Sequence, residues 1–147
     1  MNTLFRKIFP SKQMRAFNKM HRKHRKELIK LAKETNEYDY CWLHESVIMQ
    51  IRHMYEFYIG NNVHQSDESK SEIIQQLECI LDLVRELEKT EDDNCGLELI
   101  CDENDNIIES IVPEDYHKRA LDQEKKINRL YEEIYSLIGK NIRYWWD

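Results

Sequence analysis

The stretch DESKSEIIQQLECILDLVRELEK, residues 67–89, decides the fold class, because its apolar side chains recur every three or four residues. That spacing places them on one side of an α-helix and leaves the acidic side chains on the other. Ser66 or Asp67 can act as the N-cap. The pattern predicts an amphipathic helix over about residues 68–90. Its apolar side is formed by Ile73, Leu77, Ile80, Val84 and Leu87, with Ile74 and Leu81 beside them.

Three further segments have helical spacing. The first helix is predicted over about residues 12–35, following Pro10. The second is predicted to end at Gly60, a residue type that often terminates helices. The last is predicted to begin with Pro113 as its first residue and to run to the chain end. Its apolar stripe consists of Ala120, Ile127, Tyr131, Ile134, Ile138, Ile142 and Trp145.

Between these helices the apolar spacing changes from helical to alternating. GLELICDENDNIIESIV, residues 96–112, contains two apolar segments separated by a turn-rich Asp-Glu-Asn-Asp-Asn sequence. This pattern predicts a β-hairpin with strands at about 97–101 and 107–112. The whole chain of 147 residues is therefore expected to be mainly α, with about four helices in a bundle-like single domain and a small hairpin at about 97–112.

Charge divides the chain unevenly. Residues 1–33 hold eleven Lys or Arg and one acid, Glu27, so they carry a charge of +10. Because the whole chain has a net charge of −6, residues 34–147 carry −16. The sequence thus predicts a basic N-terminal helical arm, 1–33, and an acidic body with the hairpin, 34–147. The arm could dock on the acidic body, contact nucleic acid or an anionic membrane surface, or stay solvated. One helical face of the arm is basic and contains Arg15, Lys19, Arg22, Lys26, Lys30 and Lys33.

No spacing of chemically active residues indicates catalysis or a metal site. Six histidines occur without an HExxH motif, and a single Glu114-x-x-His117 pair is too little for a di-iron site. Cys41 and His44 lie three residues apart, but no nucleophile motif surrounds them. The four cysteines include no CxxC pair and are expected to be free thiols in a reducing cytosol. We therefore expect a non-enzymatic protein without a metal or cofactor.

Two clusters combine cations with aromatic rings and are candidate ligand-binding sites. On the second helix these are Arg52, His53, Tyr55 and Tyr58, although tyrosines at helical spacing are also typical of a core. Near the C-terminus they are Lys140, Arg143 and Trp146, residue types that can stack on a base and contact its phosphate. Trp145 continues the apolar stripe of the last helix, so we expect it to be buried.

Two segments carry a resemblance to a known group of proteins: LIKLAKETNEYDYCWLHESVIMQIRHMYEFYIGNN, residues 28–62, and DYHKRALDQEKKINRLYEEIYSLIGKNIRYWWD, residues 115–147. The features that carry it are an N-terminal basic segment, a Tyr-Asp-aromatic helix start, an RHMYEYY-like helix and a terminal Trp-Trp-Asp. In these features the chain resembles small proteins encoded by tailed bacteriophages. The resemblance covers most of residues 25–147 and implies a phage context, but no catalytic residue is carried across from that family.

The resemblance implies a binding protein for host takeover or counter-defence, which sequesters a nucleotide-derived immune signal or binds a host protein. The alternative is a nucleic-acid-associated or structural accessory factor that uses residues 1–33. The N-terminus lacks the apolar core of a secretory signal, and no stretch has the length of a membrane span. A location in the cytoplasm of the bacterial host is therefore expected. The apolar stripe at 127–145 could pair within one chain or across a dimer, so a homo-oligomer is possible.

Overall fold

The computed structural model describes residues 12–34, 40–60 and 67–145, and the side chains of these residues except 12, 13, 40, 41 and 67. Helices dominate this part of the chain, and one antiparallel hairpin interrupts them, so the predicted mainly α fold is confirmed. The helices are α1 (Lys12–Glu34), α2 (Tyr40–Gly60), α3 (Asp67–Glu91) and α4 (Tyr116–Asn141), and the strands are β1 (Glu98–Cys101) and β2 (Ile107–Ile111).

The chain separates into two compact units, Met1–Glu78 and Cys79–Asp147, called here the N-terminal and C-terminal units. The boundary between them falls inside α3. The predicted basic arm, 1–33, and acidic body, 34–147, were distinguished by charge, and this division stays a prediction. The expectation that the chain forms a single domain also stays a prediction. None of the described helices has the length and apolar content needed to cross a membrane.

The N-terminal unit has a small apolar core. Ile48, Ile51 and Tyr58 of α2 are buried, as are Ile73 and Leu77 of α3. Helix α1 contributes less to it, because its apolar residues Leu28 and Leu31 are only half-buried and Phe17 is exposed. Polar contacts with α2 therefore contribute to holding α1 in place.

The C-terminal unit buries more hydrocarbon. Val84 and Leu87 of α3 and Leu130 and Ile134 of α4 are all almost completely buried. At the surface, the Lys126 Nζ of α4 lies 2.9 Å from the Glu86 Oε1 of α3, and this ion pair lowers the pKa of Glu86. The two helical segments are thus in direct contact within this unit.

The start of α4 differs from the prediction. Pro113 was expected to be the first helical residue, but the helix begins at Tyr116 with Asp115 as its N-cap residue. The Tyr116 N–H donates to the Pro113 carbonyl, which closes a turn before the helix. Pro113 is the first residue of this turn, whose conformation is set by Glu114 and Asp115, so a proline at this position is compatible with the turn as well as with a first helical turn and the sequence did not distinguish the two.

The end of α4 also differs. The helix was expected to reach the chain end, but it ends at Asn141 and a turn follows, in which the Tyr144 N–H donates to the Asn141 carbonyl. Ile142, the C-cap residue, keeps helical dihedral angles and donates its N–H to the Ile138 carbonyl, but it is 44% exposed and so does not share the burial expected for the apolar stripe. Trp145 is 2% exposed, so its predicted burial is confirmed, but the turn places it there and not the helix.

The predicted hairpin is confirmed at residues 98–101 and 107–111. Glu98 pairs with Ile111, and the register shifts by a bulge between Ile100 and Cys101. Asp102 closes the turn, because its carboxylate accepts hydrogen bonds from the backbone N–H groups of Asn104 and Asn106 and from the Asn106 side chain. These donors lower the pKa of Asp102 and keep it ionised.

Candidate functional site

The predicted basic face lies on α1 and is exposed to solvent. All six of its side chains have exposed positions, and only Lys30 approaches a carboxylate of its own helix, with its Nζ 3.6 Å from Glu34 Oε1. Lys19, Arg22 and Lys26 form no ion pair with any residue in the described part of the chain. The cationic face, as we call it, consists of Arg15, Lys19, Arg22, Lys26, Lys30 and Lys33.

An open groove of about 660 Å³ follows the N-terminal part of the cationic face. Its described lining holds five cations and a single carboxylate. That excess of positive charge at an exposed surface is suited to an anion that makes several contacts at once. The lining residues are Arg15, Asn18, Lys19, Arg22, Lys23, Lys26 and Glu27.

Helix α1 contacts α2 through two histidines and two glutamates. The rings of His24 and His53 stack in parallel with their centroids 3.7 Å apart. The His53 Nε2 lies 2.7 Å from Glu27 Oε2, and the His24 Nε2 lies 3.2 Å from Glu56 Oε2. Each helix therefore supplies one His-x-x-Glu pair, and each glutamate meets the histidine of the other helix. We call these four residues the His–Glu cluster.

The ionisation of the cluster follows from burial and charge. Burial is the main cause that lowers the pKa of His53, and the neighbouring His24 adds to the lowering, whereas the hydrogen bond with Glu27 opposes it. The pKa of Glu56 is lowered chiefly because Lys23 donates a hydrogen bond to it at 2.9 Å. The same bond raises the pKa of Lys23. Lys23 is thus engaged by α2, unlike its neighbours on the cationic face.

The cluster fixes which side of α1 faces outward. At 3.6 residues per turn, His24 lies about 160° around the helix from Arg22 and from Lys26, and Glu27 lies about 140° from Arg22 and about 100° from Lys26. When the two cluster residues contact α2, the middle of the cationic face is therefore turned away from α2. Sequence reasoning missed this arrangement, although the repeated His-x-x-Glu spacing at 24–27 and 53–56 was a visible signal.

The ligand residues predicted on α2 occupy different environments. Arg52 is exposed, whereas His53 and Tyr58 are buried. The Tyr55 hydroxyl donates to Glu78 Oε1 at 2.7 Å, and His53 is engaged with Glu27. The structure thus brings two of the four residues to glutamates instead of to a shared cavity, and the ligand role of this set stays a prediction.

The second predicted ligand set is only partly described. Lys140 and Arg143 are exposed near the end of α4, and Trp146 lies outside the described residues. Both cations have the solvent access that an anionic ligand requires, but the stacking role assigned to Trp146 stays a prediction.

A polar group in the C-terminal unit was not anticipated from the sequence. The Gln123 Nε2 of α4 donates to the carbonyls of Thr90 and Asp93, and its Oε1 accepts from the Cys95 thiol at 2.9 Å. Gly96 follows with φ +80, and a Cβ there would meet the Arg119 side chain at 3.0 Å. These hydrogen bonds connect α4 to the end of α3 and satisfy the amide internally, which indicates a structural role.

No group of three or more His, Cys, Asp or Glu in the described part of the chain is arranged to hold a metal ion. Comparison with protein-family models, with curated proteins and with solved structures found no match. Any functional argument therefore rests on the chemistry of these surfaces.

Proposed function

We propose that this protein binds nucleic acid through the cationic face of α1. The observation that carries the proposal is the run of exposed cations from Arg15 to Lys33, of which Lys19, Arg22 and Lys26 form no ion pair with a described residue. Phosphate contacts by Lys and Arg supply most of the affinity of non-specific nucleic-acid binding, so such a face is a suitable contact surface.

The length of the face favours a polymer over a small anion. Eighteen residues separate Arg15 from Lys33, which corresponds to about 27 Å along the helix axis at 1.5 Å per residue. A mononucleotide could contact only part of this distance. A nucleic-acid strand presents a phosphate at every nucleotide and could contact the face along its whole length.

The charge of the rest of the chain limits where a polyanion can bind. Residues 34–147 carry −16 and would repel it, whereas residues 1–33 carry +10. The His–Glu cluster turns the middle of the cationic face away from α2, so the cations there do not need to move before they meet phosphate. These two features support contact through α1 alone.

The test measures fluorescence anisotropy of labelled duplex and single-stranded DNA with wild-type protein and with Lys19→Gln/Arg22→Gln/Lys26→Gln. Because each lost phosphate contact weakens binding, we expect the triple variant to bind at least about tenfold more weakly at moderate salt. A matched control with the same change of charge is Lys118→Gln/Lys125→Gln/Arg129→Gln, whose side chains are exposed on α4.

Two outcomes contradict the proposal. If both triple variants lose affinity equally, net charge and not the cationic face is responsible. If the wild-type protein binds anionic phospholipid vesicles but neither form of DNA, the face serves a membrane surface. Circular dichroism of all three proteins checks that the helices are retained.

The phage context would place the bound nucleic acid in an infected bacterium. Sequestration of a nucleotide-derived immune signal, or binding of a host protein, stays a prediction from the resemblance. Native mass spectrometry of the purified protein tests both, because a retained nucleotide or host subunit would add its own mass.

A further inference from the structure

The hairpin exposes large apolar side chains on both of its faces. Leu99 is 51% exposed, Ile107 is 61% exposed and Ile108 is 68% exposed, and Ile100, Ile111 and Val112 are also exposed. Scattered exposed apolar residues are ordinary, but a contiguous set of this kind marks an interaction surface. A two-stranded hairpin without a covering layer is also marginally stable by itself. Both considerations indicate that something covers this hairpin in the functional state.

The strands also have unpaired edges. The sheet consists of β1 and β2 alone in the described part of the chain, so each strand has one edge without a strand beside it. Natural edge strands are commonly protected by Lys or Pro, and neither residue occurs in 98–101 or 107–111. An extended segment from a partner can therefore pair with an edge and add a strand.

Charge identifies the partner. Residues 92–116 contain nine Asp or Glu and no Lys or Arg. A second copy of the hairpin would bring these carboxylates together without compensation, which disfavours self-pairing. A basic segment would instead meet complementary charge along the strands and at the turn, where Asp102 is held in its ionised form.

The register gives the partner's residue pattern. Glu98, Ile100, Glu109 and Ile111 lie on one face of the hairpin, while Leu99, Cys101, Ile107 and Ser110 lie on the other. Successive side chains of an added strand point to opposite faces. An added strand pairs with one edge only, so cations at every second position would lie beside Glu98 at the β1 edge or Glu109 at the β2 edge, and the intervening aliphatic side chains would pack beside Leu99 or Ile107 on the other face.

We propose that the hairpin binds an extended segment of a partner protein in which Lys or Arg alternates with aliphatic residues, and that this segment pairs with the sheet as a third strand. The proposal uses only the C-terminal unit and does not depend on nucleic-acid binding by α1.

The experiment titrates ¹⁵N-labelled full-length protein with short synthetic peptides and follows the amide signals of residues 98–111. The first peptide alternates valine with lysine, the second alternates valine with glutamate, and the third has the composition of the first with all lysines placed before all valines. We expect the first peptide to shift the strand amides and to slow their hydrogen exchange. The third should bind about tenfold more weakly, since it cannot keep cations on the face of the edge glutamate and aliphatic side chains on the opposite face along the whole strand.

Charge reversal separates pairing from general attraction. Glu98→Lys/Glu109→Lys changes two exposed side chains, so the fold should persist and circular dichroism can check it. We expect this variant to lose the preference for the alternating valine–lysine peptide over the block peptide. Equal binding of the alternating and block lysine peptides by the wild-type protein overturns the proposal. So does a concentration-dependent dimer that Ile107→Lys dissociates, because the occupant would then be a second copy.

Discussion

The two units hold their helices together with different chemistry. In the N-terminal unit, α1 meets α2 through the stacked His24 and His53 and their two glutamates. In the C-terminal unit, α3 and α4 bury hydrocarbon and share a neutral amide, that of Gln123. The first kind of contact changes with pH, whereas the second does not titrate in the physiological range. The position of α1, and with it the cationic face, should therefore respond to conditions that leave the C-terminal unit unchanged.

The largest effect is expected from removing hydrocarbon in the C-terminal unit. Leu130 is 1% exposed, so Leu130→Ala should lower the free energy of unfolding by about 2–5 kcal/mol, through lost burial and the cavity left behind. Leu121→Ala is the matched control on the same helix, where the side chain is 51% exposed and the change should cost far less. Urea denaturation followed by circular dichroism measures both. Equal costs would mean that α4 is not packed as described.

The second effect concerns the Gln123 side-chain amide, which links α4 to the end of α3. Gln123→Ala removes the hydrogen bonds to the Thr90 and Asp93 carbonyls and to the Cys95 thiol. Leaving such groups without partners should cost about 1–3 kcal/mol in the same assay. Gln75→Ala, at an exposed position of α3, is the control. If the two substitutions cost the same, Gln123 does not link the helices.

The third and smallest effect is a pH dependence confined to the N-terminal unit. The pKa of His53 is lowered in the folded protein, so the unfolded chain binds the proton more readily. The stability that this residue contributes is present above the unfolded pKa of about 6.5 and is lost as pH falls through the lower folded value. The free energy of unfolding should therefore decrease from pH 7 toward pH 5.

His53→Gln tests this assignment, because glutamine does not titrate. The variant should show a flatter dependence between pH 7 and pH 5, whereas His117→Gln, at an exposed position of α4, should retain the wild-type slope. The range lies above that in which Glu56 takes up a proton, since the pKa of Glu56 is lowered. A stability that stays constant across this range in the wild-type protein would contradict the role given to the cluster.

The elements that the sequence predicted well are those whose pattern is local. The apolar spacing of residues 73–87 directly reflects the side of α3 that is buried, and the alternation at 97–101 reflects β1. The end of α4 was misplaced because Trp145 continues the helical spacing although a turn follows the helix, in which the Tyr144 N–H donates to the Asn141 carbonyl. Trp145 would be buried by a continued helix and is also buried by the turn, so the apolar spacing does not distinguish the two conformations.

The polar contacts were harder to predict because they join residues far apart in the chain. His53 was considered as a ligand residue, and the glutamate that engages it, Glu27, lies 26 residues earlier. Gln123 has no local pattern that indicates its partners. In contrast, the cationic face was predicted residue by residue, because charges that repeat every three or four positions on a helix must share a side.

The salt dependence of DNA binding tests the central claim most directly. If the six side chains of the cationic face each neutralise one phosphate, the logarithm of the association constant should fall with the logarithm of salt concentration with a slope of about −5.4 for duplex DNA. Lys19→Gln/Arg22→Gln/Lys26→Gln should reduce the slope to about −2.7. A slope near zero for the wild-type protein, or an unchanged slope for the variant, would contradict binding through the cationic face of α1.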